Sequence, residues 1–278
     1  MSSSRNSSRN SRSSIRKSSM SIAERKRRED IQNKTILEID RLIEIIAFIV
    51  RDAGYSIELD DSEAIVGNYI FFIKHKNKNL SIPTTVSSIE IILKTDDTIL
   101  DTPITRTLQR ISVRTFYIEM VETNESYRGN GWAILLLFYT IAYLQKHKPT
   151  IKFFTLSDES AMRFDMENNI YGKAGFLFAY FVEMDLSRPN TIKTTSLKKI
   201  LDLRDYNSTY NWATNCLYHI ENFLEKNNMD TIEDYIEDSS AYYYGGKSKK
   251  QRHKKTRKQG NKRSRKHSKK YSRKHSRK

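Results

Sequence analysis

Apolar residues recur along this chain in blocks, and each change in their spacing marks a change of element. Between residues 31 and 51, Ile36, Ile39, Ile43, Ile46 and Val50 lie three or four apart, which places them on one face of a helix closed by Gly54. The stretches 55–59, 69–73, 89–93 and 112–121 are short and rich in β-branched and aromatic residues, so they read as strands, with a turn at Lys76 to Asn79. Residues 133–146 are apolar almost throughout and predict a helix that stops before Pro149, since the residue preceding a proline disfavours helical geometry. A strand at 151–156, a helix at 159–171 and a last strand at 177–184 follow. Tyr210, Ala213, Leu217, Ile220 and Leu224 then return to helical spacing, which predicts an amphipathic helix packed on the rest.

Charge divides the chain differently. The whole carries 49 Lys/Arg and 33 Asp/Glu, net +16, but the balance is local: residues 1–30 hold 9 bases and 3 acids, and residues 246–278 hold 18 bases and no acid. The stretch 31–245 keeps 22 bases against 30 acids, net −8. An acidic folded part between two basic tails is the picture that follows. Residues 1–30 are a Ser/Arg-rich tail too poor in apolar side chains to offset the entropy of ordering. Residues 31–190 form a mixed α/β domain, 191–245 a helical extension packed on it, and 246–278 a disordered Lys/Arg/His/Ser-rich tail whose like charges repel.

Composition also narrows the chemistry. A single cysteine, Cys216, excludes an internal disulfide and reads as a small buried apolar residue. The six histidines are scattered or lie in the basic tail without metal-ligand spacing, so no metal is expected. The apolar stretch Leu42 to Val50 is broken by Glu44 and is far shorter than the roughly 20 residues that cross a bilayer. No membrane association is expected, and the chain reads as intracellular, nuclear, cytoplasmic or in a virion, and not secreted.

The chemistry concentrates at one junction. Arg128-Gly129-Asn130-Gly131-Trp132-Ala133 lies where a strand gives way to a helix. Two glycines let the backbone curl around an anion, and the first N–H groups of the helix point outward with the positive end of its dipole. Downstream stands Asn169-Ile170-Tyr171-Gly172-Lys173-Ala174-Gly175-Phe176, so four of only nine glycines fall in these two segments. The first resembles the Arg/Gln-x-x-Gly-x-Gly/Ala pyrophosphate loop of the GNAT N-acetyltransferase superfamily, and the second its apolar-Tyr-x-Lys-x-Gly-Phe helix end. The resemblance implies a central, mostly antiparallel sheet flanked by helices, with acetyl-CoA as cosubstrate. It also implies that Arg128, Gly129, Asn130, Gly131, Trp132 and Ala133 hold the pyrophosphate, while Val121 and Thr123 offer backbone groups to the pantetheine arm. Tyr171 matches the family's general acid, and a phenol stays protonated at neutral pH. Glu119 is the candidate base and Glu122 the second.

Two departures stand beside the resemblance. Many relatives carry Asn seven residues before the tyrosine and Ala four before it, where this chain has Phe164 and Glu167. A helix also comes first, where the family starts with a strand. The acidic core suits a cationic amine acceptor: a protein lysine, an N-terminus or a polyamine. The alternative is an inactive scaffold of the same shape that binds nucleic acid through its tails. The end, Gly-Gly-Lys followed by Lys/Arg/His/Ser repeats, is similar to the ends of proteins from large DNA viruses. Oligomeric state is left open by the sequence.

The C-terminal 33 residues hold 18 Lys/Arg but one aromatic, Tyr271, so phosphate neutralisation rather than base stacking must drive any binding to nucleic acid. If about eight of these charges reach the phosphates of a duplex, log affinity should fall against log salt with a slope of roughly −7. Filter binding of the full chain and of residues 31–245 to a random duplex across a salt series checks this; equal binding by both, or a flat salt response, rules it out.

Overall fold

The first helix, α1, spans Ile22–Asp52 in the computed structural model, which describes residues 21–75, 84–101, 109–160, 163–184 and 192–236. It starts well ahead of residue 31, where apolar spacing begins. Ser21 caps it by accepting the Glu24 N–H at 3.2 Å, and the Glu, Lys and Arg residues that follow are good helix formers whether buried or not. Only the later turns are buried, through Ile39, Leu42, Ile45, Ile46, Ile49 and Val50; Ile36 is exposed.

Among the described residues seven strands follow: β1 (Tyr55–Asp60), β2 (Asn68–His75), β3 (Thr84–Asp101), β4 (Gln109–Thr123), β5 (Phe153–Leu156), β6 (Leu177–Met184) and β7 (Ile192–Asp202). They make one sheet in the order β1-β2-β3-β4-β5-β7-β6. Only β4 and β5 run parallel, so the mixed α/β class with a mostly antiparallel sheet is the one observed. The far end of β3, Ile99–Asp101, pairs again with Tyr180–Val182 of β6 and closes β3, β4, β5, β7 and β6 into a ring.

Two expectations need correction. The helix expected over 159–171 does not form; its place is taken by turns and a short α3, Ile170–Lys173. The cause is side-chain competition with the backbone: Asp158 accepts the Ser160 N–H at 3.0 Å, Asp165 that of Asn168 at 3.1 Å, and Asn169 that of Tyr171 at 2.8 Å. Each bond stabilises a turn where a helix would need its own ladder. The strand at 177–184 is also not the last. β7 falls inside the stretch expected to be a helical extension, and it inserts between β5 and β6. Its central Lys198-Lys199 hides the strand pattern, because one of those lysines is fully buried.

The second helix, α2 (Trp132–His147), is buried at Ile134 through Phe138 without a break, and again at Thr140, Ile141, Ala142, Leu144 and Gln145. A helix apolar on every side must be covered on every side. The sheet covers one flank through Phe71, Ile89, Phe116 and Phe154, while α1 and the last long helix, α4 (Tyr206–Lys226), complete the packing. Asp205 caps α4 by accepting the Ser208 N–H at 2.8 Å. Its buried face is Thr209, Trp212, Ala213, Cys216, Ile220, Phe223 and Leu224; Tyr210 is exposed and Leu217 only half-buried, so the face is rotated from the one read in the spacing. Cys216 is fully buried, and burial pushes its thiol well up. The turn expected at Lys76 to Asn79, the first 20 residues of the N-terminal tail and the whole C-terminal tail, 246–278, lie outside the described residues; residues 22–30, expected to belong to an unordered tail, instead form the first turns of α1. Among the described residues no helix is long and apolar enough to cross a membrane, and no group of His, Cys, Asp and Glu could hold a metal ion.

Trp212 ties α4 to the end of α3, its Nε1–H donating to the carbonyl of fully buried Ala174 at 3.0 Å. Trp212→Phe keeps an aromatic ring but leaves that carbonyl unpaired, so it should cost about 1–3 kcal/mol of stability. Urea denaturation of the two proteins measures it; no loss would mean that α4 is held by apolar packing alone.

Candidate functional site

The site begins where β4 and β5 part. Their parallel ladder joins Thr115–Tyr117 to Phe153–Thr155, but β4 runs on to Thr123 while β5 stops at Leu156. Among the described residues, the backbone groups of 119–123 on that edge therefore face no strand. In the same region the register of β4 against β3 slips by one: Met120 faces Glu90, Ile118 faces Ile91, and Glu119 is the extra residue of a β-bulge. Asn124 then accepts the Ser126 N–H at 3.1 Å and starts a single 3-10 turn, and Arg128 Nε donates to the Thr123 carbonyl at 3.1 Å, tying the loop to the strand end.

Gly129 and Gly131 both take left-handed backbone angles, φ +78° and +87°, which a side chain at either position would strain. The first bond within α2 runs from the Leu135 N–H to the Gly131 carbonyl at 3.2 Å. The N–H groups of Trp132, Ala133 and Ile134 are thus the open donors of a helix start, joined by the positive end of a 16-residue dipole.

Two clefts meet at this loop. One, of about 510 Å³, lies between the loop and α4 and is lined by Arg128 to Ile134 together with Ile170, Lys173 and one face of α4. The other, of about 790 Å³, runs along the strand ends and is lined by Thr85 to Ser88, Val121 to Ser126, Arg128, Ala133 and Ile170. Thr123, Arg128, Ala133 and Ile170 border both. All eight residues that the sequence assigned to cofactor binding, Val121, Thr123, Arg128, Gly129, Asn130, Gly131, Trp132 and Ala133, therefore line one cleft or both. Glu122 lines the second cleft, whereas Glu119 lines neither and lies 3.6 Å from the Lys94 ammonium in an exposed ion pair.

Helix α4 braces the loop, which nothing in the sequence announced. Lys226 Nζ donates to the Gly129 carbonyl at 2.5 Å and Asn227 Nδ2 to the Asn130 carbonyl at 3.2 Å. Phe223 packs edge-on against Trp132, ring centroids 5.1 Å apart, and so close to Gly131 that an added Cβ would lie 2.7 Å from its ring. Gly131 is held to glycine twice, by its backbone angle and by this ring.

Tyr171 sits on α3 next to Ile170 but borders neither cleft. Its ring packs edge-on near Phe176, and the Lys199 ammonium lies 5.6 Å from its centre. Burial, and secondly the nearby Asp158 carboxylate, push its hydroxyl up to about 12, so it holds its proton at neutral pH. Asp158 and Lys199 form an ion pair at 2.7 Å with both side chains almost wholly buried. Burial alone would push the Asp158 carboxyl up; hydrogen bonds from Lys199, Ser160 and Asn169 outweigh it and hold the group below the ordinary carboxylate range. The same Asn169 gives Nδ2 to Asp158 at 2.8 Å and takes the Tyr171 N–H on Oδ1, so the pair fixes the backbone that carries Tyr171. Gly172 adds a steric constraint: a Cβ there would collide with the Met166 carbonyl oxygen. Phe164 and Glu167, on turns rather than on a helix, are exposed, Phe164 against the Phe178 ring at 5.7 Å.

No family model matches the chain, and no curated protein matches it either. Among solved structures, a mutant of KacT shares 10% identity over 53% of this chain and 77% of its own, with a TM-score of 0.35. The NatC complex bound to Gag peptide and CoA shares 20% identity over 58% of this chain and 91% of that one, TM-score 0.29. Arabidopsis thaliana NAA60 in complex with acetyl-CoA shares 11% over 49% and 77%, TM-score 0.32.

Replacing one member of a buried ion pair leaves the other uncompensated and typically costs about 3–5 kcal/mol. Lys199→Met should show that loss, and adding Asp158→Asn should recover most of it. Melting curves of the single and double variants decide; losses that simply add would mean that the two groups do not act as a pair.

Proposed function

We propose that the chain binds acetyl-CoA at this loop and transfers the acetyl group to a primary amine. The observation that carries the reading is the start of α2: two glycines in left-handed geometry, three open N–H donors and Arg128, set between a cleft on α4 and a strand edge that has no partner among the described residues. A diphosphate fits the donors, and an amide-bearing arm fits the free edge of β4. In the transfer, a neutral amine nitrogen forms a bond to the acetyl carbonyl carbon and the carbon–sulfur bond of the thioester breaks. Tyr171 gives its proton to the departing thiolate, and the amine's extra proton goes through water to Glu122 or, second, Glu119. Of the two glutamates, Glu122 borders a cleft, which favours it as base. The net charge of −8 over residues 31–245 supports a cationic amine, a protein lysine, an N-terminus or a polyamine, as acceptor.

One observation favours a second reading, a scaffold that binds the cofactor without turnover: Tyr171 is absent from the residues lining the two clefts. The two readings separate cleanly in experiment. Acetyl-CoA at 100 times its dissociation constant should stabilise the protein by about 2.7 kcal/mol. Ala133→Asp places a carboxylate where the diphosphate would sit, yet a carboxylate in the first turn of a helix is favourable by about 0.3–1 kcal/mol. This variant should therefore keep or raise its own melting temperature and lose the shift; a wild type that shows no shift at millimolar cofactor overturns the proposal. Tyr171→Phe should retain the shift and lower turnover by about 10²- to 10⁴-fold. Binding without acetyl transfer to any amine by wild type would establish the scaffold reading.

A further inference from the structure

The two clefts that meet at the loop differ in charge. The strand-end cleft is bordered by Glu122, Glu125 and Arg128. The α4 cleft is bordered by Arg128, Lys173 and Lys226, and none of the described residues that line it is acidic, although acids outnumber bases between residues 31 and 245. A diphosphate on the loop accounts for the helix start and Arg128; it leaves Lys173 and Lys226 without an anion. The α4 contribution comes from Tyr218, His219, Asn222, Phe223 and Lys226, whose spacing puts them along one side of the helix. Phe223 turns into the core, Tyr218 stays 63% exposed at the rim, and His219 is held below its ordinary value by burial and then by the Lys173 cation. The geometry points to a second phosphate subsite: Lys226 of α4 and Lys173 of α3 bind a terminal phosphate monoester, the 3′-phosphate of coenzyme A, with the adenosine end of the ligand in the α4 cleft and the uncharged arm in the strand-end cleft.

The charges orient the ligand. A dianionic monoester placed between Glu122 and Glu125 would be repelled, and placed in the α4 cleft it meets two ammonium groups. Lys226 Nζ uses one of its three protons on the Gly129 carbonyl and keeps two for the ligand. The exposed Tyr218 ring offers a flat surface on which a purine can stack. This subsite makes α4 part of the binding site as well as a brace for the loop. It rests on the proposed acetyl-CoA site, and the test separates the two.

Titration calorimetry on the full chain with acetyl-CoA and with acetyl-dephospho-CoA, which lacks only the 3′-phosphate, reads the subsite directly. One charge-assisted hydrogen bond is worth about 1.5–3 kcal/mol, so wild type should prefer the phosphorylated ligand by roughly 10- to 100-fold. Lys173→Gln should lower that preference severalfold while binding the dephospho ligand about as well as wild type does; Lys226→Gln, which also removes the brace on the Gly129 carbonyl, should weaken the phosphorylated ligand severalfold more than the dephospho one. Equal affinity of wild type for both ligands overturns the subsite and leaves the cofactor site standing. If neither ligand binds, the cofactor site itself falls. If Lys226→Gln weakens both ligands alike, and Lys173→Gln changes neither, the lysine is a loop brace only and the subsite is refuted.

Discussion

Everything in this structure turns on the burial of α2. Its run from Ile134 to Phe138 has no polar face, so the helix is stable only where sheet, α1 and α4 enclose it together. That enclosure fixes its axis, and with it the point where its first N–H groups emerge. Those groups cannot be satisfied within the helix. The open donors at the loop follow from the way this core closes.

The loop itself is set by its neighbours. Phe223 occupies the space that a side chain at Gly131 would need, and Lys226 and Asn227 hold the carbonyls of Gly129 and Asn130 from outside. With its carbonyls turned toward α4, the loop is held in one curvature. The same contacts make α4 one wall of the cleft, so core packing and the cleft lining share residues. On the other side of the site, the Asp158–Lys199 pair does for Tyr171 what α4 does for the loop: it anchors Asn169, which anchors the backbone of α3. A buried pair is a poor source of stability but a good way of holding one geometry, because its partners tolerate no drift apart.

What was legible along the chain were features carried by neighbouring residues. The apolar run of α2, the glycine-bearing junction at 128–133, the later turns of α1 and most strands rest on local spacing and β-branched content, and their physics is complete within a dozen residues. The eight cofactor residues proposed from the motif all reach one of the clefts, since a strand–glycine–helix junction leaves little freedom in where its N–H groups point. The helix expected over 159–171 failed for an equally local reason, the competing turn bonds of Asp158, Asp165 and Asn169, which periodicity does not register.

The sequence by itself determined the class of fold, the strand–glycine–helix junction at 128–133 and the uneven placing of acidic and basic residues along the chain, because composition and short-range spacing suffice for each. Tertiary structure alone decided that β7 slots between β5 and β6, that Lys199 is buried against Asp158, that Glu119 bulges away from the clefts toward Lys94, and that α4 closes over a loop some hundred residues earlier. Each of those depends on a partner distant in the chain. A lysine reads the same whether it ends in water or against a buried carboxylate, and only the folded chain supplies the partner that distinguishes them.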